Sequence, residues 1–180
     1  MNEIKKTFCI ASLMAVFIMA AGINAMGAEY SVGSGDDDWW TTYPDQSTGA
    51  GIAVNHPSWV LSELQKKPVL IYIHKECDYC VPQTEAVKRV ADEFGGKITF
   101  YEIDADSGDV RAEEGLTAYD PNGGTMYVPL TIIVTLASDS EGDVVPVWHS
   151  TDEVTGEGWI KGYVEDSISH YDEFSASWNP

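Results

Sequence analysis

The sequence predicts an α/β fold in which a mixed central sheet carries helices on both faces. Three observations indicate this class. A short, continuously apolar run is followed directly by an amphipathic segment with the helical period of 3.6 residues. A second β-rich run comes after that helix, an order typical of two parallel strands joined by a crossover. Two further β-rich runs separated by a turn-rich connection, and then an amphipathic helix, complete the chain.

The first residues are typical of a secretory signal. Two lysines precede an apolar run over 8–23, and small residues follow it. We expect cleavage after Ala25, which removes residues 1–25, or as late as Ala28. The run is shorter than the roughly 20 apolar residues that a spanning helix needs, so an uncleaved membrane anchor is the weaker alternative. The protein is therefore expected to be exported, either secreted or held outside the cytoplasmic membrane.

Residues 26–51 are rich in Gly, Ser, Thr and Asp, and their composition predicts a flexible acidic segment. Three adjacent aspartates, 36–38, stand before two tryptophans. Such a run offers carboxylates to calcium, but it lacks the alternating ligands of a calcium site, and a solvated stretch is preferred. We expect the folded domain over 52–172 and a tail over 173–180.

The remaining elements are predicted from the spacing of apolar residues and from the residues that start or end helices and strands. Apolar residues at helical spacing predict helices, and β-rich runs predict strands. The predicted elements are a short edge strand at 51–54, a helix over 57–66, strands over 69–73 and 97–104, a short helix from Asp106 or Ser107 to Leu116, strands over 130–136 and 143–149, and a C-terminal helix through 159–171.

Two cysteines stand where the strand over 69–73 ends and the next helix begins. Pro82 is tolerated only in a first helical turn, so the helix is predicted to start near Asp78, with Cys77 at or just before its first residue. The free amides and positive dipole end of that helix favour a thiolate at Cys77. Cys80, one turn later, is expected to be less exposed. This is the layout of a dithiol in which one sulfur attacks and the other resolves.

Charge limits the classes of partner. The chain has 10 Lys and Arg residues against 29 Asp and Glu residues, a net charge of -19. Nucleic acid and anionic membrane surfaces are disfavoured, because both bind to basic faces. High solubility or a saline environment accounts for the excess of carboxylates.

These residues carry a resemblance. The strand, the Cys-x-x-Cys pair at a helix start, the second strand, and Val128-Pro129 before a hairpin and a terminal helix together resemble the thioredoxin superfamily over about 52–172. The resemblance implies a three-layer sandwich with Cys77 and Cys80 as the catalytic redox pair. It also implies a cis-proline at Pro129 that faces the pair, so that the Val128 backbone is free to bind an extended substrate strand.

The alternative of a zinc site needs two further ligands. After signal removal no other cysteine remains, and the four histidines show no paired spacing; they are His56, His74, His149 and His170. We therefore expect neither a metal nor another cofactor.

The sequence departs from the thioredoxin pattern in three places. Glu76 precedes the pair, and Asp78-Tyr79 fills it. The family's buried carboxylate, six residues before the first cysteine, falls on Ile71. The approach to Pro129 is lengthened over 117–127, which either selects partners or is a plain surface insertion.

Two function classes remain. The first is an exported thiol-disulfide oxidoreductase, a reductase or isomerase of disulfide-containing client proteins, recycled by a membrane-borne redox partner and active as a monomer. The second is a non-catalytic binding module of the same fold with a structural Cys77–Cys80 disulfide. The first is preferred, because a disulfide that closes a loop of only four residues removes little entropy from the unfolded chain and so adds little to stability.

Overall fold

The computed structural model describes residues 30–180 of the chain. Within them, six strands form one mixed sheet in the order β1-β2-β6-β5-β3-β4. The strands are β1 Val32–Gly33, β2 Trp39–Trp40, β3 Val69–His74, β4 Thr99–Asp104, β5 Leu130–Ser138 and β6 Val144–Thr151. β3 pairs parallel with β4 and antiparallel with β5, and β5 pairs antiparallel with β6. The predicted mixed sheet is confirmed.

Four α-helices cover the two faces of this sheet: α1 Ser58–Leu64, α2 Cys80–Phe94, α3 Val110–Tyr119 and α4 Glu157–Phe174. One hydrophobic core lies between the sheet and the α1 and α3 side, and a second core lies between the sheet and the α2 and α4 side. The architecture is therefore a three-layer sandwich with a thioredoxin-like strand order. No helix of the described residues has both the length and the hydropathy to cross a membrane.

β3 is an interior strand of the sheet, between β5 and β4. Its residues from Val69 to Ile73 are fully buried, because the strand has a neighbour on each edge and helices on each face. A strand covered on both faces has no polar side, which is why this segment is continuously apolar in sequence.

The expectation of a flexible segment over 26–51 is wrong for its described part. Trp39 and Trp40 are almost completely buried, and Tyr30 stacks on Tyr163 of α4 with ring centroids 4.0 Å apart. A tryptophan buries some 150–250 Å² of surface. Burial of two tryptophans therefore holds this segment on the domain, although its average composition is polar. The three aspartates stay at the surface or half-buried beside them.

Element boundaries also differ from expectation. α3 begins at Val110 with Asp109 as its N-cap, whose carboxylate accepts a hydrogen bond from the Arg111 amide, so neither Asp106 nor Ser107 caps this helix. α4 reaches Phe174 and a 3₁₀ turn follows at Ser175–Ser177. Trp178 then packs against the core, so the expected tail over 173–180 is mostly structured. The predicted signal sequence and its cleavage at Ala25 or Ala28 lie outside the described residues.

Candidate active site

The cysteine pair lies between the end of β3 and the start of α2. α2 begins at Cys80, two residues later than predicted, and Tyr79 is its N-cap with helical dihedral angles. The Cys80 amide donates to the Cys77 carbonyl at 3.0 Å, which closes one tight turn ahead of the helix. Pro82 lies in the first turn of α2, as its missing amide hydrogen requires.

Cys77 and Cys80 are joined in a disulfide, with Cα atoms 5.2 Å apart. Cys80 is only 2% exposed, whereas Cys77 is half-buried and reachable from solvent. The Cys80 amide hydrogen also points at the Cys77 sulfur, with N and Sγ 3.2 Å apart. A backbone donor aimed at a sulfur favours its thiolate form once the bond is reduced. The accessible sulfur is thus also the electrostatically favoured one.

A tyrosine hydroxyl lies against the backbone of the buried cysteine. The Tyr72 hydroxyl donates to the Cys80 carbonyl at 3.0 Å and contacts the Thr84 hydroxyl at 2.9 Å. Burial raises the pKa of Tyr72, so the hydroxyl stays protonated. Ile71 packs into the opposite core with α1 and α3. Side chains alternate along a strand, so Ile71 and Tyr72 lie on opposite faces of the sheet, and Tyr72 is the one on the α2 side.

The histidine that ends β3 is paired away from the sulfurs. His74 Nε2 lies 3.3 Å from the Glu102 carboxylate, which also binds Lys88 at 2.9 Å. Its ring stacks on Tyr72 at 5.0 Å. Lys75 is exposed. His74 therefore ends the strand, and Lys75 is solvated.

A cleft of about 550 Å³ brings Tyr79 of the Cys-x-x-Cys motif together with Val128 and Pro129. The Val128–Pro129 peptide bond is cis. Pro129 immediately precedes β5, whose first residue, Leu130, pairs with Ile73 near the end of β3. The two stretches that sequence analysis singled out therefore line one surface.

The far wall of this cleft is the β6–α4 loop over 152–156, and a buried glutamine holds it in place. Gln83 of α2 is fully buried. Its amide nitrogen donates to Thr131 Oγ1 at 2.8 Å, and its carbonyl oxygen accepts from the Thr155 amide at 2.8 Å. Gln83 thus ties α2, β5 and the loop together. Sequence analysis missed it; its only signal was a polar residue on the apolar stripe of α2.

The lengthened approach to Pro129 is anchored from two sides. The Asn122 side chain donates to the Asp152 carboxylate at 3.2 Å, and the Asn122 carbonyl accepts from the Thr48 amide at 2.9 Å. Gly123 has φ of +69°, and a Cβ there would collide with the Thr48 hydroxyl. The N-terminal segment therefore holds a loop that lines the cleft.

In the part of the chain that the structure describes, no group of three His, Cys, Asp or Glu side chains is arranged to hold a metal ion. The pair's two sulfurs are already bonded to each other. What the arrangement can do chemically is exchange one disulfide for another.

The strand order is that of a thioredoxin-like fold, and a Cys77–Cys80 disulfide lies at the start of α2. No family model matches the chain, and neither does any curated protein. Similar solved structures include chloroplastic thioredoxin z, at 16% identity over 61% of this chain and 83% of that one, with a TM-score of 0.41. The germline-specific thioredoxin Deadhead of Drosophila melanogaster is 13% identical over 58% of this chain and 85% of its own, with a TM-score of 0.40. Thioredoxin-2 of a malaria parasite is 11% identical over 55% of this chain and 82% of its own, with a TM-score of 0.38.

Proposed function

We propose that this chain is an exported thiol-disulfide oxidoreductase that reduces or isomerises protein disulfides. The observation that carries the proposal is the asymmetry of the pair: a half-exposed Cys77 that accepts an amide hydrogen bond, next to a buried Cys80. A nucleophilic sulfur must be reachable and stabilised as thiolate, whereas a resolving sulfur need only reach its neighbour.

The exchange runs in two steps. The Cys77 thiolate attacks one sulfur of a client disulfide, forms a mixed disulfide and expels the other client sulfur as a thiolate. The Cys80 thiolate then attacks Cys77 Sγ, expels the second client thiolate and closes the Cys77–Cys80 bond. The client gains two electrons and two protons, and this chain loses them. In the proposed cycle a membrane-borne dithiol partner reduces the Cys77–Cys80 bond, returns the two electrons and two protons, and is itself oxidised to a disulfide.

Val128 and Pro129 are proposed as the substrate-binding residues. They line the same cleft as Tyr79, the residue that immediately precedes Cys80 in the Cys-x-x-Cys motif. An extended client segment that pairs with the Val128 backbone would place its disulfide over Cys77. The protein is proposed to do this as a monomer, outside the cytoplasmic membrane.

Thiol-disulfide exchange with a small neutral disulfide tests the proposal against the binding-module alternative. Reduced protein is mixed with hydroxyethyl disulfide, and closure of the Cys77–Cys80 bond is followed by mass. Cys77→Ser is expected to abolish the reaction, and Cys80→Ser to stop it at a mixed disulfide. An unreactive reduced protein would instead support a structural disulfide.

The client and the recycling partner can be captured with the same variant. Cys80→Ser, expressed with its signal in the native compartment, is expected to accumulate mixed disulfides on Cys77. Their identification tests the proposed export and both classes of partner together. Recovery of the variant only from the cytoplasm would contradict the export.

A further inference from the structure

The cleft beside the disulfide has an exposed apolar rim. Tyr79 is 74% exposed, Tyr127 61% and Val154 44%, and all three line the cleft. Single exposed apolar side chains are common, but several around one cleft mark a surface that binds another molecule. Two of the three are tyrosines, whose rings accept both aliphatic chains and cations on their faces.

The charge around this rim is one-sided. The segments that surround the cleft, 75–81, 120–129 and 152–154, contain one cation, Lys75, against the carboxylates of Glu76, Asp78, Asp120, Asp152 and Glu153. Asp120 is buried and accepts from the Asn122 amide, so it belongs to the loop's structure.

Asp152 and Glu153 line the cleft itself. The Asp152 carboxylate accepts only from the neutral Asn122 amide, and the Glu153 carboxylate has no hydrogen-bond or ion-pair partner among residues 30–180. Neither charge is neutralised by a cation of this part of the chain. The cleft wall therefore offers two uncompensated negative charges beside an aromatic rim.

We infer that this surface takes a cationic client: an extended segment with Lys or Arg flanking its disulfide cysteine. The inference rests on the proposed function and names its substrate class. Long basic side chains lay an aliphatic stem on apolar surface and keep the charged head for a carboxylate, which matches the rim and the wall. An acidic segment would meet like charge at Asp152, at Glu153 and again at Glu76 and Asp78.

The chemistry also fits a basic client. A neighbouring Lys or Arg lowers the pKa of a cysteine, so the client sulfur leaves more easily as a thiolate when Cys77 attacks its partner. The carboxylates would select the client that is also the easier one to reduce.

Two peptides with the same intramolecular disulfide, one flanked by arginines and the other by glutamates, test this. The second-order rate constant with reduced protein is expected to be at least about tenfold higher for the basic peptide at low ionic strength. Raising the salt to about 0.5 M should collapse most of that ratio, because the Debye length shrinks to a few ångströms.

Glu153→Lys separates the cleft from the charge of the whole molecule. Its matched control is Glu141→Lys, an exposed hairpin residue beyond the far end of β5, roughly 25 Å away along that strand. Glu153→Lys is expected to lower the basic-to-acidic ratio at least about fivefold, and Glu141→Lys to leave it nearly unchanged. Each peptide rate constant is divided by that of the same protein with hydroxyethyl disulfide, which is neutral, so that any change in the reactivity of Cys77 itself cancels.

Equal rates for the two peptides, or an equal loss in both variants, would overturn the inference. Failure with hydroxyethyl disulfide in every protein would contradict the oxidoreductase function alone. The preference is then measured by fluorescence anisotropy with serine in place of the peptide cysteines. Tighter binding of the basic peptide that is weakened by Glu153→Lys supports the inference, and equal binding overturns it.

Discussion

Cys77 and Cys80 differ in solvent access because one precedes the helix and the other begins it. In reduced protein near neutral pH, iodoacetamide is expected to modify Cys77 at least about tenfold faster than Cys80, since only Cys77 combines access with an amide donor. Peptide mapping by mass spectrometry measures both rates. Cys80→Ser should keep the fast reaction and Cys77→Ser should lose it. Preferential labelling of Cys80 would contradict the assigned roles.

The two carboxylates that flank Cys77 bear on its redox potential. Glu76 and Asp78 are exposed, and like charge this close disfavours a thiolate. The Cys80 amide and the helix terminus act the other way, but a partly exposed helix end contributes only about 0.3–1 kcal/mol. We expect a potential nearer roughly -270 mV than -120 mV, which suits a reductase or isomerase.

Equilibration with a glutathione series measures that potential. Glu76→Gln and Asp78→Asn together are expected to raise it, because removing like charge stabilises the reduced, thiolate-containing form. Glu141→Gln and Asp143→Asn together, in the exposed turn between β5 and β6, serve as the control for removing two negative charges elsewhere. A wild-type value above roughly -150 mV would indicate an oxidase and reverse the assumed balance of charges.

At the scale of elements, Gln83 determines how α2 meets the cleft wall. Gln83→Ala leaves the Thr155 amide and the Thr131 hydroxyl without their partner, so a loss of about 1–3 kcal/mol in the free energy of unfolding is expected. The loosened loop should also slow reaction with a peptide disulfide more than reaction with hydroxyethyl disulfide. Urea unfolding and the two rate constants measure these effects.

Gln65→Ala is the matched control, because Gln65 is exposed at the end of α1. It should change neither stability nor rates appreciably. Equal slowing of both disulfides by Gln83→Ala would contradict a role in holding the cleft wall, since a small disulfide does not need that wall.

β3, the cysteine pair and α2 were predictable because their sequence signals are local. A buried strand is apolar throughout, and an amphipathic helix has apolar residues at a spacing of about 3.6 residues. The positions of Tyr72 and Gln83 were not predictable, because each depends on which face of the sheet a neighbouring element covers. The prediction of a flexible N-terminal segment was wrong for a related reason. Its average composition is polar, whereas Trp39 and Trp40 find their pockets only against distant β6 and α4.

At the scale of the molecule, that segment joins the two ends of the described chain. The Trp39 indole donates to Asp166 of α4 at 2.7 Å, and the Asp37 carbonyl accepts from the Tyr163 hydroxyl at 2.9 Å. The same segment reaches the cleft through Thr48 and Asn122. Stability of the N-terminal packing and order in the cleft are therefore connected through one stretch of backbone.

A buried histidine makes this packing sensitive to acid. His149 is 3% exposed and stacks on Tyr163 at 4.1 Å. Its Nδ1 lies 2.8 Å from the Asp38 carbonyl, which can only accept, so Nδ1 carries the hydrogen of the neutral ring. A second proton would have to sit on Nε2 among aromatic rings. Burial accordingly lowers the pKa of His149 to about 4, against the weaker opposing effects of the Asp38 carbonyl and of the Asp37 and Asp38 charges.

Because the unfolded chain binds this proton near pH 6.5 and the folded chain only near pH 4, stability falls as the pH drops through that window. Between roughly pH 7.5 and 5 His149 should account for a loss of about 2 kcal/mol in the free energy of unfolding. His56, whose pKa is also lowered by burial to about 4, adds a loss of the same sign.

Urea unfolding of the wild type and of His149→Phe at about pH 7.5 and at about pH 5 is the measurement. The variant keeps the stacked ring and should lose about 2 kcal/mol less on acidification than the wild type. An identical loss in both proteins would mean that His149 is protonated as readily folded as unfolded, and that the N-terminal packing around it opens to water.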